Sequence, residues 1–169
     1  MPVAEEPGAD IESLFDACYR RLARVLYRVT GDTGLAEEIA AEAFWRLHRR
    51  QPRDKTNLEG WLYRTGLRLA LDQIKKDARR ARYEGLASWF RNAPSPEHVA
   101  ERSQERTRVR ATLGSLPVEQ FALIVLRAEG FSYAEVAQKL HLNPASVGTL
   151  LARAEIAFRT EYVNRYGQP

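Results

Sequence analysis

The chain is 169 residues long, 44% hydrophobic and 28% charged, with a net charge of +4. That length suits one compact domain or two small ones, and the balance is too apolar for a disordered chain. No run of ~18 apolar residues is present to form a transmembrane helix, and the opening MPVAEEPGADIE is acidic without an apolar core, so no secretory signal is read there and a cytoplasmic location is expected.

Residues 1–10 look like a frayed tail. From Ile11 to Thr30, Leu14, Cys18, Leu22, Val25 and Val29 fall on one face of a helix. Gly31 breaks that pattern, and Asp32 or Thr33 can cap a second helix running to about Arg50, with Leu35, Ile39, Ala43, Phe44 and Leu47 inward. Glu37, Glu38 and Glu42 lie on another side of it, near its positive N-terminal end. QPRDKT is a polar loop, and Asn57 is a good cap for a third, long helix to about Arg82. That helix places Leu58, Leu62, Leu69 and Ile74 on an apolar side. Trp61, Arg64, Arg68, Lys75 and Arg79 form a second, basic stripe with an aromatic at its start.

Residues 84–96 break the periodicity with two prolines and small residues, marking a linker. Ser95-Pro96-Glu97 opens a charged helix to about Ser115, punctuated by Leu116-Pro117. Val118 to Glu129 forms an apolar-rich helix closed by Gly130. Ser132 and Glu135 make a capping box for the next helix, His141-Leu142-Asn143 is the turn, and Asn143 with Pro144 starts the last helix. Its inward face is Val147, Leu151, Ala154, Phe158 and Tyr162. No alternating run of β-branched residues offers a strand. The predicted fold is all-α: two small helical domains, 11–83 and 97–165, joined by a flexible link at 84–96.

The charge is uneven. From Arg46 to Arg82 there are twelve Lys/Arg against four Asp/Glu, whereas from Leu113 onward five face five. A basic cluster of this kind suits a phosphate backbone or a solvated helix face. Cys18 is the only cysteine, which excludes an internal disulfide and fits a small core residue. His48, His98 and His141 stand apart with no zinc-ligand spacing. No phosphate-binding glycine loop, nucleophile elbow or metal cluster is found, so neither an enzyme nor a cofactor or small-molecule substrate is expected.

The stretches LAEEIAAEAFWRL, LEGWLYRTGLRLALDQIKK and LPVEQFALIVLRAEGFSYAEVAQKLHLNPASVGTLLARAE, in that order, resemble the extracytoplasmic-function (ECF) members of the bacterial sigma-70 family. The resemblance covers about Leu14 to Tyr162. It implies a region 2 helical bundle, a linker and a region 4 helix-turn-helix. It also implies an alternative sigma factor that binds core RNA polymerase and directs promoter recognition, DNA melting and transcription initiation. The implied partners are the β′ coiled coil and β flap of the polymerase, promoter DNA, and an anti-sigma factor, often membrane-bound. When in holoenzyme the protein would lie with the nucleoid.

Carried over residue by residue, the polymerase-docking helix matches at Asp32, Glu37, Glu38, Glu42, Phe44, Trp45 and Arg46. This is a charged rim around exposed aromatics; the other reading places Phe44 in the core. The element for the −10 strand matches at Asn57, Trp61, Tyr63, Arg64, Arg68, Lys75, Lys76 and Arg79. Such work needs aromatic platforms among cations, since stacking contributes ~1–3 kcal/mol per base. Trp61 also sits beside Leu58 and Leu62, where a core role serves equally. Relatives often carry Asn-Leu-Ala-Leu-Asp where this chain has Arg68 to Asp72. The loop from Gln51 to Thr56 would face a flipped base in relatives, but here it has no aromatic.

The helix-turn-helix would read the −35 element through Ser132, Tyr133, Asn143, Ala145, Ser146, Thr149, Leu150 and Arg153. Relatives commonly have Gly-Thr-Val-Lys-Ser-Arg at Ala145 to Leu150. Here Gly148 replaces the Lys and Leu150 the Arg, so charged contacts are fewer. Leu150 meets a thymine methyl or is buried. Two other functions fit the same helices: a stand-alone helix-turn-helix regulator, and a sigma-like interaction module that does not read DNA itself.

Overall fold

The computed structural model describes the backbone at residues 7–84 and 97–168 and the side chains at 11–83 and 103–168. Glu84, the first residue of the expected linker at 84–96, still belongs to the third helix, while 85–96, with the Ser95-Pro96 helix start, and the side chain of His98 lie outside these described residues. Seven helices and no strand are present among the described residues: α1 (Pro7–Thr30), α2 (Thr33–Arg49), α3 (Leu58–Glu84), α4 (Glu97–Leu113), α5 (Val118–Ala128), α6 (Tyr133–Leu140) and α7 (Pro144–Tyr166).

Helices α1–α3 form the first bundle. The α1 stripe expected from the sequence is inward, with Cys18, Leu22, Val25, Leu26 and Val29 buried. The helix begins at Pro7, four residues ahead of Ile11, because proline fits a first turn whose N–H has no intrahelical partner. Gly31, at φ +70, makes the turn into α2 in a conformation that suits glycine. The Asp32 carboxylate accepts the Leu35 N–H at 3.0 Å and caps α2. Gly66 lets α3 approach α1: a Cβ there would lie 3.3 Å from Leu22 Cδ1 and 3.5 Å from Leu26 Cδ1.

Helices α4–α7 form the second unit. Ser132 Oγ accepts the Glu135 N–H and Glu135 Oε2 accepts the Ser132 N–H, completing the capping box of α6. His141 then adopts the left-handed conformation at φ 59, ψ 46. Its N–H reaches the Gln138 carbonyl at 3.4 Å and the Leu142 N–H the Ala137 carbonyl at 2.8 Å, the Schellman arrangement usually closed by glycine. The Asn143 side chain accepts the Ala145 N–H and starts α7. Far along α7, the Tyr162 hydroxyl ties back to the Glu105 carboxylate of α4 at 2.8 Å.

The two units share one core. The apolar side expected for α3 is buried at Leu58, Leu62 and Ile74, but so are Tyr63, Leu67, Ala70 and Leu71. These extra residues give α3 a second covered side. It packs on α1 and α2 and also on α5 and α6. Arg110 of α4 adds a polar tie, its Nε donating to the Val29 carbonyl at the end of α1 at 2.7 Å.

Leu26 has no exposed surface and lies where α1 meets α3. Leu26→Ala is expected to lower the unfolding free energy in urea by ~2–5 kcal/mol, the range for truncating a buried leucine. A loss under ~1 kcal/mol would mean that the site can collapse around the deletion.

Candidate protein and nucleic-acid interface

The outer face of α2 carries the expected acidic rim. Glu37 and Glu38 are exposed, and Glu42 Oε1 accepts from Arg46 Nε at 2.7 Å one turn along the helix. Asp32 is occupied as a cap. Trp45 is 54% exposed, with the His48 ring stacked at 6.1 Å and the Arg49 guanidinium 5.8 Å from its centroid. Phe44 differs from the expected exposed aromatic. It is 6% exposed and meets Phe15 edge-on at 5.1 Å, since its position continues the inward row of Ala40, Ala43 and Leu47. One residue along a helix turns the next side chain by about 100°, which carries Trp45 outward. Trp45 and Trp61 line one cleft of about 320 Å³ with Glu42, Arg46, Arg49 and Arg50, so the start of α3 adjoins the α2 rim.

Along α3 the basic stripe divides. Arg68, Lys76 and Arg79 are exposed, and Trp61 and Lys75 are half-buried. Arg64 is drawn inward, Nη1 donating to the Lys139 carbonyl at 2.8 Å, and burial holds its pKa below the usual arginine value. Asn57 does two things: Oδ1 accepts the Gly60 N–H at 2.8 Å, capping α3, and Nδ2 donates to the Gln138 carbonyl at 2.5 Å. Tyr63 is a correction to the expected platform, being fully buried. It stands two residues from Trp61 and so points about 200° away around the helix, into the joint between the units. Its ring meets Phe131 edge-on at 5.6 Å, and its hydroxyl has no hydrogen-bond partner. Burial, reinforced by the Glu59 charge, raises the hydroxyl pKa. In the preceding loop Asp54 accepts from the Thr56 hydroxyl and N–H, and these bonds lower its pKa.

In the helix-turn-helix, Ser132 and Asn143 are occupied as caps. Tyr133, Ala145, Thr149 and Arg153 are exposed, while Ser146 and Leu150 are half-buried. The Tyr133 ring lies under the Arg127 guanidinium at 5.0 Å. A Cβ on Gly148 would sit 3.4 Å from the same ring, so glycine leaves the tyrosine room on α7. Leu150 and Arg153 line a groove of about 430 Å³ whose other walls include Arg64 and Arg68 of α3 and Leu123 and Leu142. Leu150 is therefore partly covered, and Arg153 faces the basic stripe of the first bundle.

Sequence reasoning passed over the residues that join the units. Lys139, 3% exposed, projects from α6 into the joint. Its ammonium lies 2.8 Å from Glu59 Oε1, 4.6 Å from the Tyr63 centroid and 4.9 Å from that of Phe131. A cation is attracted by ring faces as well as by a carboxylate. Removing Glu59 would leave a buried ammonium without its carboxylate, which costs up to about 3–5 kcal/mol in a fully buried pair and less here, because the Glu59 side chain is 36% exposed.

Around this centre, α1 presents Arg21, Arg24 and Arg28 on one face. Arg24 and Arg28 hold Glu129 at 2.9 and 2.5 Å, and Arg21 reaches Glu135 at 3.5 Å while covering the Phe131 ring at 3.9 Å. The Arg21–Glu135 pair is exposed on both sides and adds only ~0–1 kcal/mol, whereas the Glu129 carboxylate is 4% exposed and depends on its two arginines for compensation. A signal was present in the sequence. Arg21, Arg24 and Arg28 recur at helical spacing outside the main basic segment, and Glu129 and Glu135 are two of the five acidic residues that bring the second half to zero net charge.

Comparison with known proteins assigns the two units. Residues 14–80 match the profile described as Sigma-70 region 2, and residues 106–157 that described as Sigma-70, region 4. The chain is 32% identical to the ECF RNA polymerase sigma factor SigE of Mycolicibacterium smegmatis, over 82% of this chain and 56% of that protein. It is 30% identical to the probable ECF RNA polymerase sigma factor SigI of Mycobacterium tuberculosis, over 79% of this chain and 49% of that protein. To the ECF RNA polymerase sigma factor SigW of Bacillus subtilis it is 27% identical, over 93% of this chain and 89% of that protein. The chain thus spans about half the length of SigE and SigI and most of SigW.

Cys18 lies in α1 near the joint. Burial first, then the Glu59 charge, push its thiol from 9.0 up to about 11, with Lys139 opposing. The folded chain therefore favours the neutral thiol. The stability this contributes is complete below about pH 9 and is lost as pH rises toward 11, by at most ~2–3 kcal/mol. Wild type is expected to lose stability relative to Cys18→Ala across that window in urea titrations. Parallel pH curves for the two proteins would contradict the assignment.

Proposed function

We propose that this chain, which belongs to the extracytoplasmic-function group of the sigma-70 family, is a dissociable subunit that brings core RNA polymerase to promoters and opens them. The observation that carries this reading is the two-sidedness of the α1–α3 bundle. On α2, acidic Glu37 and Glu38 flank an exposed Trp45. On α3, a cationic row with Trp61 at its head lies across the shared cleft. The first surface suits a protein partner, since aromatic anchors with a charged rim are typical of docking sites. The second suits a single strand, which needs cations for its phosphates and ring faces for its bases.

In this reading residues 11–83 act as region 2 and 97–165 as region 4. Glu37, Glu38, Glu42, Trp45 and Arg46 hold the β′ coiled coil. Trp61, Arg68, Lys75, Lys76 and Arg79 hold the strand of the −10 element, with Asn57 and Arg64 joining once released from α6. Ala145, Ser146, Thr149 and Arg153 approach the −35 element, helped by the backbone N–H groups at the start of α7. Region 4 also meets the β flap. With so little charge on α7, its DNA affinity is low until polymerase holds both units on one promoter, where the second contact becomes intramolecular. The polymerase supplies the chemistry. An anti-sigma factor that covers the docking surfaces is the expected cytoplasmic or membrane-held antagonist.

Two outcomes test this. The double substitution Glu37→Lys, Glu38→Lys is expected to weaken binding to core polymerase by about tenfold or more while helix content is retained, as loss of a charged docking rim predicts; a pull-down with unchanged affinity would remove the docking surface. With core polymerase and a randomised promoter library, the chain is expected to select transcripts carrying two separated sequence elements. Transcription no greater than that of core enzyme alone would falsify the proposed function.

A further inference from the structure

We infer that the groove between α3, α5 and α7 is a binding site for a single-chain aliphatic carboxylate, a free fatty acid in chemical class, with its chain along the leucines and its head among Arg64, Arg68 and Arg153. The site goes beyond the promoter reading and does not rest on it. The groove's volume of about 430 Å³ falls within the ~300–1,000 Å³ span of small-molecule sites.

Its walls divide into two chemistries. The first is aliphatic. Leu67 of α3 and Leu123 of α5 make a closed floor. Val118, Leu140, Leu142 and Leu150 stand half-buried around it, with apolar surface left to cover. Removing that surface from water is favourable. Among the described residues no aromatic ring lines the groove, so a nucleobase finds nothing there to stack on. A flexible methylene chain can lie against branched side chains without one.

The second chemistry is cationic. Arg64 and Arg68 stand about one turn apart on α3, and Arg153 faces them from α7, against a single lining carboxylate, Glu119. Arg64 Nη1 donates to the Lys139 carbonyl, and the rest of that guanidinium remains on the groove wall. Arg68 and Arg153 are exposed and have no paired carboxylate among the described residues. Three like charges around one groove repel, and an anion placed between them relieves the repulsion. The guanidinium fork matches the two oxygens of a carboxylate. A phosphate backbone would satisfy these arginines and leave the leucines bare, whereas a neutral oil would do the reverse. An amphiphilic monoanion satisfies both.

The test uses the full chain with dodecanoate as the probe, kept below its micelle-forming concentration, and reads binding by isothermal titration calorimetry. Dodecyltrimethylammonium carries the same chain with the opposite charge, and octanoate the same head on a shorter chain. Dodecanoate is expected to bind one per chain with a dissociation constant of about 10–100 µM, within reach of a ligand of this size. Octanoate is expected to bind at least about tenfold more weakly, because four methylenes are lost from the apolar wall. Arg68→Glu and Arg153→Glu are each expected to weaken dodecanoate by about tenfold. Arg159→Glu makes the same charge change at an exposed position of α7 outside the groove, and is expected to leave binding unchanged. Leu150→Trp, which fills the groove from a half-buried position, is expected to abolish it.

Circular dichroism checks that helix content is kept. Should Leu150→Trp lose it, the two arginine variants, altered only at exposed positions, carry the test. Equal binding of dodecyltrimethylammonium, several dodecanoates per chain, or equal affinity in Arg68→Glu, Arg153→Glu and Arg159→Glu overturns the site. Binding to anionic phospholipid vesicles without uptake of free dodecanoate also overturns it, since that assigns the arginines to a lipid surface. None of these measurements involves polymerase or DNA, so failure here is distinct from failure of the transcription assay.

Discussion

A single buried ammonium sets the arrangement of the molecule. Lys139 enters the joint because Glu59 and two aromatic faces receive it, and its position brings the end of α6 against the start of α3. Once there, the carbonyls of Gln138 and Lys139 find donors in Asn57 and Arg64. Both lie in the last turn of a helix, where intrahelical donors run out; the Gln138 carbonyl also accepts the His141 N–H. Helix α3 thus supplies a cap for α6 from another unit. The outer ring of arginines on α1 and glutamates at the edge of α5 and α6 adds to the orientation, with the buried Glu129 carboxylate compensated by Arg24 and Arg28.

Most of the secondary structure was legible because its signals are local. Asp32, Ser132 with Glu135, and Asn143 with Pro144 each act within a few residues of the helix they start, and each does so in the structure. The apolar rows of α1 and α2 were legible for the same reason. The second buried side of α3 was not. Tyr63, Leu67 and Leu71 extend the apolar character of that helix beyond one face, and only a partner distant in sequence explains why. Tyr63 beside cations looked like a stacking platform, yet it became part of the joint. Lys139, at the end of a short helix, carries no local signal that it would become the centre of that joint. A charge or a ring declares its partner only in three dimensions.

Packing decides which residues of the family's expected surfaces are available. Of the aromatics placed by resemblance, Trp45 faces solvent, Trp61 is half-covered, and Phe44 and Tyr63 are interior. At the start of α7, Gly148 leaves room for Tyr133 and Leu150 lies along the groove, where the family pattern would place cations.

The sealing of Lys139 between the two units is most directly tested by the rate at which an amine-acylating reagent modifies it. Mass spectrometry would follow Lys139 against exposed Lys55 in the free native chain and in urea. Strong protection of Lys139 in the native chain, lost in urea, is the expected result. Equal rates at Lys139 and Lys55 in the free chain would contradict it.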